Sequence, residues 1–179
     1  MKRIIIIYGL IAGTIVGALM LITMPMYKQG TLNMDNGELL GYTTMVIALS
    51  MVFFGVKSYR DNYLQGVITF WGGFKAGILI TVVASIMYAL AWEISYARMG
   101  SGFMEQMVDR SLEKMKAGGA TEIDLQKSRE SWAAFLEMYR NPVIRFGVTL
   151  MEIFPVGLGI TLLSAALLRR KGFLPATPE

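Results

Sequence analysis

Four long apolar runs alternate with polar stretches along the chain, at residues 4–24, 38–56, 76–96 and 143–168. A helix rises about 1.5 Å per residue, so an apolar run of about 20 residues can cross the hydrocarbon core of a bilayer. The pattern predicts an all-α integral membrane protein in which four spanning helices form a bundle. We expect the whole chain, 1–179, to be a single membrane domain.

The first run follows two basic residues, Lys2 and Arg3, which is also the arrangement in a secretory signal peptide. It is longer than the roughly 7–15 apolar residues of such a peptide, and no small-x-small cleavage site follows it. We therefore expect an uncleaved span, which Pro25 ends.

Glycines recur every fourth residue in this run, at Gly9, Gly13 and Gly17. This spacing places them on one helical face, where the missing side chains let another backbone approach closely. We predict that the face is a helix-packing surface inside the bundle. A contact between two copies of the chain is the alternative.

The segments on either side of the second run are short. We expect residues 26–37 and 57–66 to be loops. Residues 67–75 contain interfacial aromatics, a Gly72-Gly73 break and a lysine that can extend to the headgroups. This pattern favours a surface-lying lead-in to the third span, with a short re-entrant segment as the alternative.

Residues 98–141 form the one long polar segment, with seven basic and seven acidic side chains. Its apolar residues keep helical spacing up to Gly118-Gly119, and Thr121 then begins a Thr-x-x-Asp pattern that is typical of a helix start. We predict an external helical hairpin between spans three and four. Asn141-Pro142 is a suitable pair for starting the last span.

The amino-acid composition limits the kinds of catalysis and metal binding that the protein can support. The chain is 54% hydrophobic and 17% charged, and it contains no cysteine and no histidine. Thiol and imidazole chemistry is therefore excluded, together with most zinc, copper and haem sites. Because nucleophile motifs, phosphate-binding glycine loops and usefully spaced carboxylate pairs are also missing from the sequence, we expect neither an enzyme nor a bound cofactor.

The net charge of +4 is concentrated beside the ends of the apolar runs. The residues concerned are Lys2, Arg3, Lys57, Arg60, Arg169, Arg170 and Lys171. This is the lysine and arginine bias of short cytoplasmic segments, and it is not typical of a nucleic-acid surface. We expect both termini in the cytoplasm, residues 98–141 outside, and the lipid bilayer as the surrounding partner.

Two acidic residues interrupt the later runs. Glu93 falls near the outer end of the third span, where we expect it at the level of the headgroups. Glu152 lies deeper in the fourth span, close to Pro155 and Gly157. An intramembrane carboxylate and a proline both need partners that lipid cannot supply. These three residues of the fourth span are therefore our candidate functional pocket.

The role of Glu152 has two interpretations. It is a structural acid, hydrogen-bonded to a hydroxyl such as Thr14, Thr81 or Ser85, or it is a relay for protons or cations. Arg145 lies two turns away on the same side of the helix and would be a stretched ionic partner.

Several stretches resemble a known family. They are Tyr8-Gly9-Leu10-Ile11-Ala12-Gly13, Lys57-Ser58-Tyr59-Arg60-Asp61, Gly66-Val67-Ile68-Thr69-Phe70 with Phe74-Lys75, and Met151-Glu152-Ile153-Phe154-Pro155-Val156-Gly157. On these residues the chain resembles the domain of unknown function 4199 family, small four-span bacterial membrane proteins. The resemblance covers nearly the whole chain and implies a four-span topology in a bacterial inner membrane. It implies no activity and no catalytic residues.

Two classes of function remain. The first is a non-catalytic membrane subunit or scaffold that binds other proteins, or a second copy of itself, through the glycine face or the hairpin. The second is a small proton- or cation-linked transporter built around Glu152 and Pro155. Four spans are few for a transporter, and no inverted repeat is visible in the sequence, so the first class is favoured.

Overall fold

The computed structural model of the protein describes residues 1–28, 34–99 and 102–175. These residues form six helices and no strands. The helices are α1 (Lys2–Lys28), α2 (Met34–Tyr63), α3 (Phe70–Met99), α4 (Gly102–Ala117), α5 (Glu122–Tyr139) and α6 (Pro142–Leu168). Four of them, α1, α2, α3 and α6, are long and apolar enough to span a membrane. The prediction of an all-α chain with four candidate spans is confirmed.

The chain divides into two compact units. The membrane unit consists of Met1–Trp92 and Thr149–Glu179, and the hairpin unit consists of Glu93–Val148. The prediction of one domain over 1–179 stays a prediction. Part of the predicted first loop, residues 29–33, lies outside the described residues.

The first helix does not end at Pro25, and that prediction is wrong. Helix α1 contains Pro25 and continues to Lys28. A proline removes one backbone donor and crowds the preceding turn. Here the proline lies near the end of the helix, where only a few backbone bonds follow it, so the chain can complete a last turn.

The predicted loop at 57–66 and the predicted lead-in at 67–75 are largely helical. Helix α2 extends to Tyr63 and α3 begins at Phe70, so the connection is only 64–69. It turns through left-handed backbone at Gln65 and Gly66, whose φ angles are 53° and 80°. The Gly66 amide donates to the Arg60 carbonyl at 3.0 Å and closes the end of α2.

Gly73 lies inside α3 and allows a close helix contact. A β-carbon at Gly73 would lie 3.2 Å from the Cα atom of Ala165 on α6. This distance is tighter than nine in ten real contacts of a β-carbon, so a larger residue here would require α6 to shift slightly. The Gly72-Gly73 pair therefore does not break the helix as the sequence analysis expected.

The glycine face of α1 packs against α3. A β-carbon added at Gly9 would lie 2.6 Å from the Val83 Cβ atom, and one added at Gly13 would lie 2.6 Å from the Met87 Cβ atom. Gly17 faces Ala91 in the same way, at 3.1 Å. The row of glycines therefore meets a row of α3 side chains with the same four-residue spacing, and this contact is formed within one chain.

The hairpin unit contains the predicted pair of polar helices. Helix α4 ends at Ala117, and the chain turns at Gly119, where φ is +86°. Thr121 then caps α5: its hydroxyl accepts from the Asp124 amide, and the Asp124 carboxylate accepts from the Thr121 amide, both at 3.2 Å. The glycine turn and the capping pattern are where the sequence placed them.

Helix α6 also begins as predicted. The side-chain oxygen of Asn141 accepts from the Val143 amide at 2.9 Å, and Pro142 occupies the first helical position. A proline costs nothing there, because the first amides of a helix have no partner within it.

Candidate functional site

Glu152 lies on α6 in the membrane unit, and the residue is exposed. Its carboxyl group is hydrogen-bonded to the side chain of Tyr88 on α3, which is itself 7% exposed. The partner is therefore a tyrosine hydroxyl. A hydroxyl on another span was expected, with Thr14, Thr81 and Ser85 as examples, and the residue that supplies it is Tyr88.

Helices α3 and α6 approach closely where small residues face one another. A β-carbon at Gly77 would lie 2.8 Å from the Thr161 Cγ2 atom, and Gly157 contacts the Thr81 side chain. The two threonines also share a hydrogen bond, with 3.1 Å between their hydroxyl oxygens. The Thr81 hydroxyl lies 3.4 Å from the Gly157 carbonyl, which accepts from it.

Most buried hydroxyl groups of the membrane unit lie on these two helices, and we call this set the polar seam. Its members are Thr81, Ser85 and Tyr88 of α3 and Thr149, Thr161 and Ser164 of α6. Ser164 donates to the Ile160 carbonyl at 2.7 Å. Ser85 is 1% exposed, and its hydroxyl has no hydrogen-bond partner among the described residues. A hydroxyl can donate and accept at once, and two of these groups, Thr81 and Thr161, are joined by a hydrogen bond.

The three candidate residues of α6 differ in their exposure. Pro155 is exposed, whereas Gly157 is buried against α3. Glu152 is connected to α3 through Tyr88 and is otherwise at the surface of the membrane unit. The described residues contain no cluster of three or more acidic side chains that could hold a metal ion. The functional role of this group stays a prediction.

The hairpin unit contains an ion pair that the sequence analysis missed. Arg145 binds Glu93 through two of its guanidinium nitrogens, one of them at 2.8 Å from the Glu93 Oε1 atom. Arg145 is 8% exposed. The ionic partner of Arg145 is therefore Glu93 and not Glu152, which the spacing offered as a stretched alternative. The predicted position of Glu93 at the level of the headgroups stays a prediction.

Aromatic rings complete the surroundings of this pair. The Arg145 guanidinium carbon lies 4.0 Å from the centre of the Tyr96 ring, and a third donor of Arg145 is 3.2 Å from the Tyr139 carbonyl oxygen. The Tyr96 and Tyr139 rings meet edge to face, with centres 5.9 Å apart. We call these four residues, Glu93, Tyr96, Tyr139 and Arg145, the aromatic clamp. The planar guanidinium group can bind both oxygens of a carboxylate and can also stack on the face of an aromatic ring.

The membrane unit contains a second buried arginine. Arg60 on α2 is completely buried and donates to Asp61 at 2.6 Å. It also donates to the carbonyl oxygens of Leu168, Phe173 and Leu174, the first two at 3.5 and 2.9 Å. We call these contacts the arginine latch, because they attach the chain that follows α6 to α2. The sequence alone does not distinguish Arg60 from the other basic residues beside the ends of the apolar runs.

Comparison with known proteins places this arrangement in a family. The family model described as "Protein of unknown function (DUF4199)" matches residues 7–170. The chain belongs to the DUF4199 family. No curated protein and no solved structure matches it in these comparisons.

The match covers the structural features of this DUF4199 protein that bear on function. The aromatic clamp, Tyr88, Glu152 and Arg60 all lie within residues 7–170. The two last acceptors of the arginine latch, Phe173 and Leu174, lie just after the matched region. Membership leaves the biochemical role to be argued from the site.

Proposed function

We propose that this DUF4199 protein is a non-catalytic subunit of a membrane assembly. In this proposal the four spans form a helix bundle that anchors the protein, and the hairpin unit binds a partner protein. The observation that carries the proposal is the aromatic clamp, because it fixes the base of an otherwise solvent-facing pair of helices.

The clamp connects three parts of the hairpin unit. Glu93 and Tyr96 belong to the end of α3, Tyr139 to the end of α5, and Arg145 to the beginning of α6. The side chains of Arg145 and Glu93 are 10% and 24% exposed, so the loss of one partner should cost more than the roughly 0–1 kcal/mol of an exposed pair and less than the roughly 3–5 kcal/mol of a fully buried one. A pair of this kind is suited to holding a hairpin in one arrangement, which lowers the entropy lost when a partner binds.

The exposed surface of the hairpin fits a protein partner. Acidic and basic side chains are interspersed along α4 and α5, and large apolar side chains such as Ile123 and Met138 are exposed among them. Non-obligate protein interfaces are about as apolar as the rest of a protein surface, so this composition is compatible with a reversible interface. It does not resemble the one-sided basic surface that binds anionic lipids.

The orientation in the proposal follows the distribution of basic residues. Lys2 and Arg3 precede the first span, and Arg169, Arg170 and Lys171 follow the last. Such residues favour the cytoplasmic side. We therefore place both termini in the cytoplasm of a bacterial cell, the protein in its inner membrane, and residues 98–141 outside.

Site-specific photo-crosslinking in native membranes tests the proposal. The crosslinker is placed at Glu113 of α4 and Glu130 of α5, which are exposed, and at Leu163 of α6 as a control in a span. We expect a discrete protein adduct from the two hairpin positions and none from Leu163. The adduct is identified by mass spectrometry and confirmed when the tagged partner retrieves this protein.

Two arginine variants test whether the yield of the crosslinked adduct depends on the aromatic clamp. Arg145→Met should lower the adduct yield, whereas Arg140→Met should not, because Arg140 forms only an exposed pair with Glu137. Lipid adducts alone at the hairpin positions, or the same protein adducts at Leu163, would remove the proposal.

One specific observation favours the alternative of a proton or cation pathway. The Glu152 carboxyl is bonded to Tyr88, one turn from the unpartnered hydroxyl of Ser85 in the polar seam. If this series conducts, vesicles containing the protein should dissipate a pH gradient, and Glu152→Gln should abolish the flux while the fold persists. Absence of flux from the unaltered protein in sealed vesicles would remove this alternative.

A further inference from the structure

A groove of about 470 Å³ lies between the beginning of α1 and the end of α2. Five residues of α1 and three of α2 line it: Arg3, Ile4, Ile7, Tyr8, Ile11, Ser58, Asn62 and Tyr63. This size is within the range of about 300–1,000 Å³ that is typical of small-molecule sites. The groove is separate from the polar seam, the aromatic clamp and the arginine latch.

One end of the groove is polar and positively charged. Arg3 has no acidic partner among the described residues, and no acidic side chain lines the groove. The carboxylate of Asp61, next to Asn62 in the sequence, is bound by Arg60 and by Lys57, each at 2.6 Å.

The neighbouring polar side chains add donors. Asn62 donates to the Ser58 hydroxyl oxygen at 3.1 Å, which leaves the hydrogen of that hydroxyl and the second amide hydrogen of Asn62 to donate elsewhere. An unpaired guanidinium beside neutral donors has the chemistry to bind a phosphate oxygen.

The other end of the groove is apolar and continues along the membrane span. Ile7 and Ile11 are each 41% exposed and follow Arg3 at four-residue intervals on one side of α1. A ligand that satisfies both ends needs an anionic head and a hydrocarbon chain. A soluble anion would satisfy only the first end.

We propose that this groove binds one glycerophospholipid of the surrounding bilayer. Its phosphate lies between Arg3, Ser58 and Asn62, and the first part of one acyl chain lies along Ile7 and Ile11. The position fits this occupant, because the groove is at the end of two candidate spans, where lipid headgroups are located. The proposal is independent of the partner that the hairpin unit binds.

Native mass spectrometry of the full chain tests the proposal. The protein is released from nanodiscs of phosphatidylglycerol and phosphatidylcholine, and the retained lipid is counted. Arg3→Gln should lower the fraction with one retained lipid by about tenfold, as expected for the loss of a charge-assisted hydrogen bond. Lys2→Gln removes the same charge from a neighbouring residue outside the groove, and it should leave the fraction unchanged.

A second pair of variants tests the apolar end of the groove. Ile7→Trp should fill the apolar end and exclude the lipid, whereas Ile6→Trp changes an exposed residue that does not line the groove. Equal effects of Arg3→Gln and Lys2→Gln, or equal effects of the two tryptophan variants, would overturn the proposal. Displacement of the lipid by millimolar inorganic phosphate would also overturn it, because the site would then be one for soluble anions.

Discussion

Replacement of Arg60 by methionine tests the arginine latch most directly. The side chain is completely buried, and three of its acceptors are carbonyl oxygens at or beyond the end of α6. Methionine has a similar length and keeps much of the apolar packing, so the change removes mainly the charge and the donors. The chain after Leu168 should then detach from α2 while the spans remain folded.

The magnitude follows from the contacts with Phe173 and Leu174. A hydrogen bond to a charged group contributes about 1.5–3 kcal/mol once its exchange with water is included. The two bonds together therefore contribute roughly 3–6 kcal/mol to the attached state. Asp61 keeps its contact with Lys57. Since about 1.4 kcal/mol is a factor of ten, the detached population should rise by roughly 10²-fold or more.

A single spin label measures this release. The protein contains no cysteine, so one introduced at Gly172 is unique, and a β-carbon there contacts nothing within 4 Å. In the unaltered protein the label should be restricted, and in Arg60→Met it should be mobile. Lys57→Met is the matched control, because Lys57 also binds Asp61 but makes no contact with the chain after α6 in the described structure.

Two results would refute this reasoning. Equal label mobility in the Arg60→Met and unaltered proteins would show that the latch does not attach the chain. Equal release by Lys57→Met would show that the Asp61 pair, and not the carbonyl contacts, is responsible.

Three further predictions concern other parts of the chain. Gly13→Ala should lower the melting temperature in detergent, because overpacking costs about 1–3 kcal/mol, whereas Gly41→Ala meets nothing within 4 Å and should not lower it; equal shifts would contradict the packing contact. Cysteines at Ser111 and Ser58 should react with an impermeant reagent from opposite sides of the membrane, and labelling of both from outside intact cells would contradict the topology. Thr121→Ala should cost about 1 kcal/mol and speed hydrogen exchange in the first turn of α5; unchanged exchange would show that the cap does not stabilise it.

The features that could be predicted from the sequence depend on neighbouring residues or on a regular repeat. The four spans follow from the length of each apolar run, and the turn at Gly119 follows from the residues around it. The Thr121 cap and the start of α6 at Asn141-Pro142 also follow from a few adjacent residues. Each of these signals is complete within one helix or one turn, so no tertiary contact is needed to interpret it.

The wrong predictions arise where a local rule competes with tertiary packing. Gly72 and Gly73 lower helix propensity, yet Gly73 allows the close approach of Ala165. The packing contact therefore outweighs the local preference, and α3 includes both glycines. The basic segment around Lys57 was predicted to be a loop for a similar reason. Polar residues favour an exposed segment, but Arg60 is completely buried.

The choice of ionic partners could not be predicted from the sequence at all. Arg145 lies seven residues before Glu152, which is about 10.5 Å along one helix, and a side chain would have to extend fully to cover that distance. Glu93 belongs to a different helix, and no sequence signal gives the register between the two helices. Arg145 binds both Glu93 oxygens, stacks on the Tyr96 ring and donates to the Tyr139 carbonyl oxygen. These contacts already use its guanidinium donors, so Glu152 is not needed as a partner. Glu93 is therefore paired with a cation, whereas the Glu152 carboxyl is bonded to the Tyr88 side chain, and this difference makes Glu152 the acid to test for proton transfer.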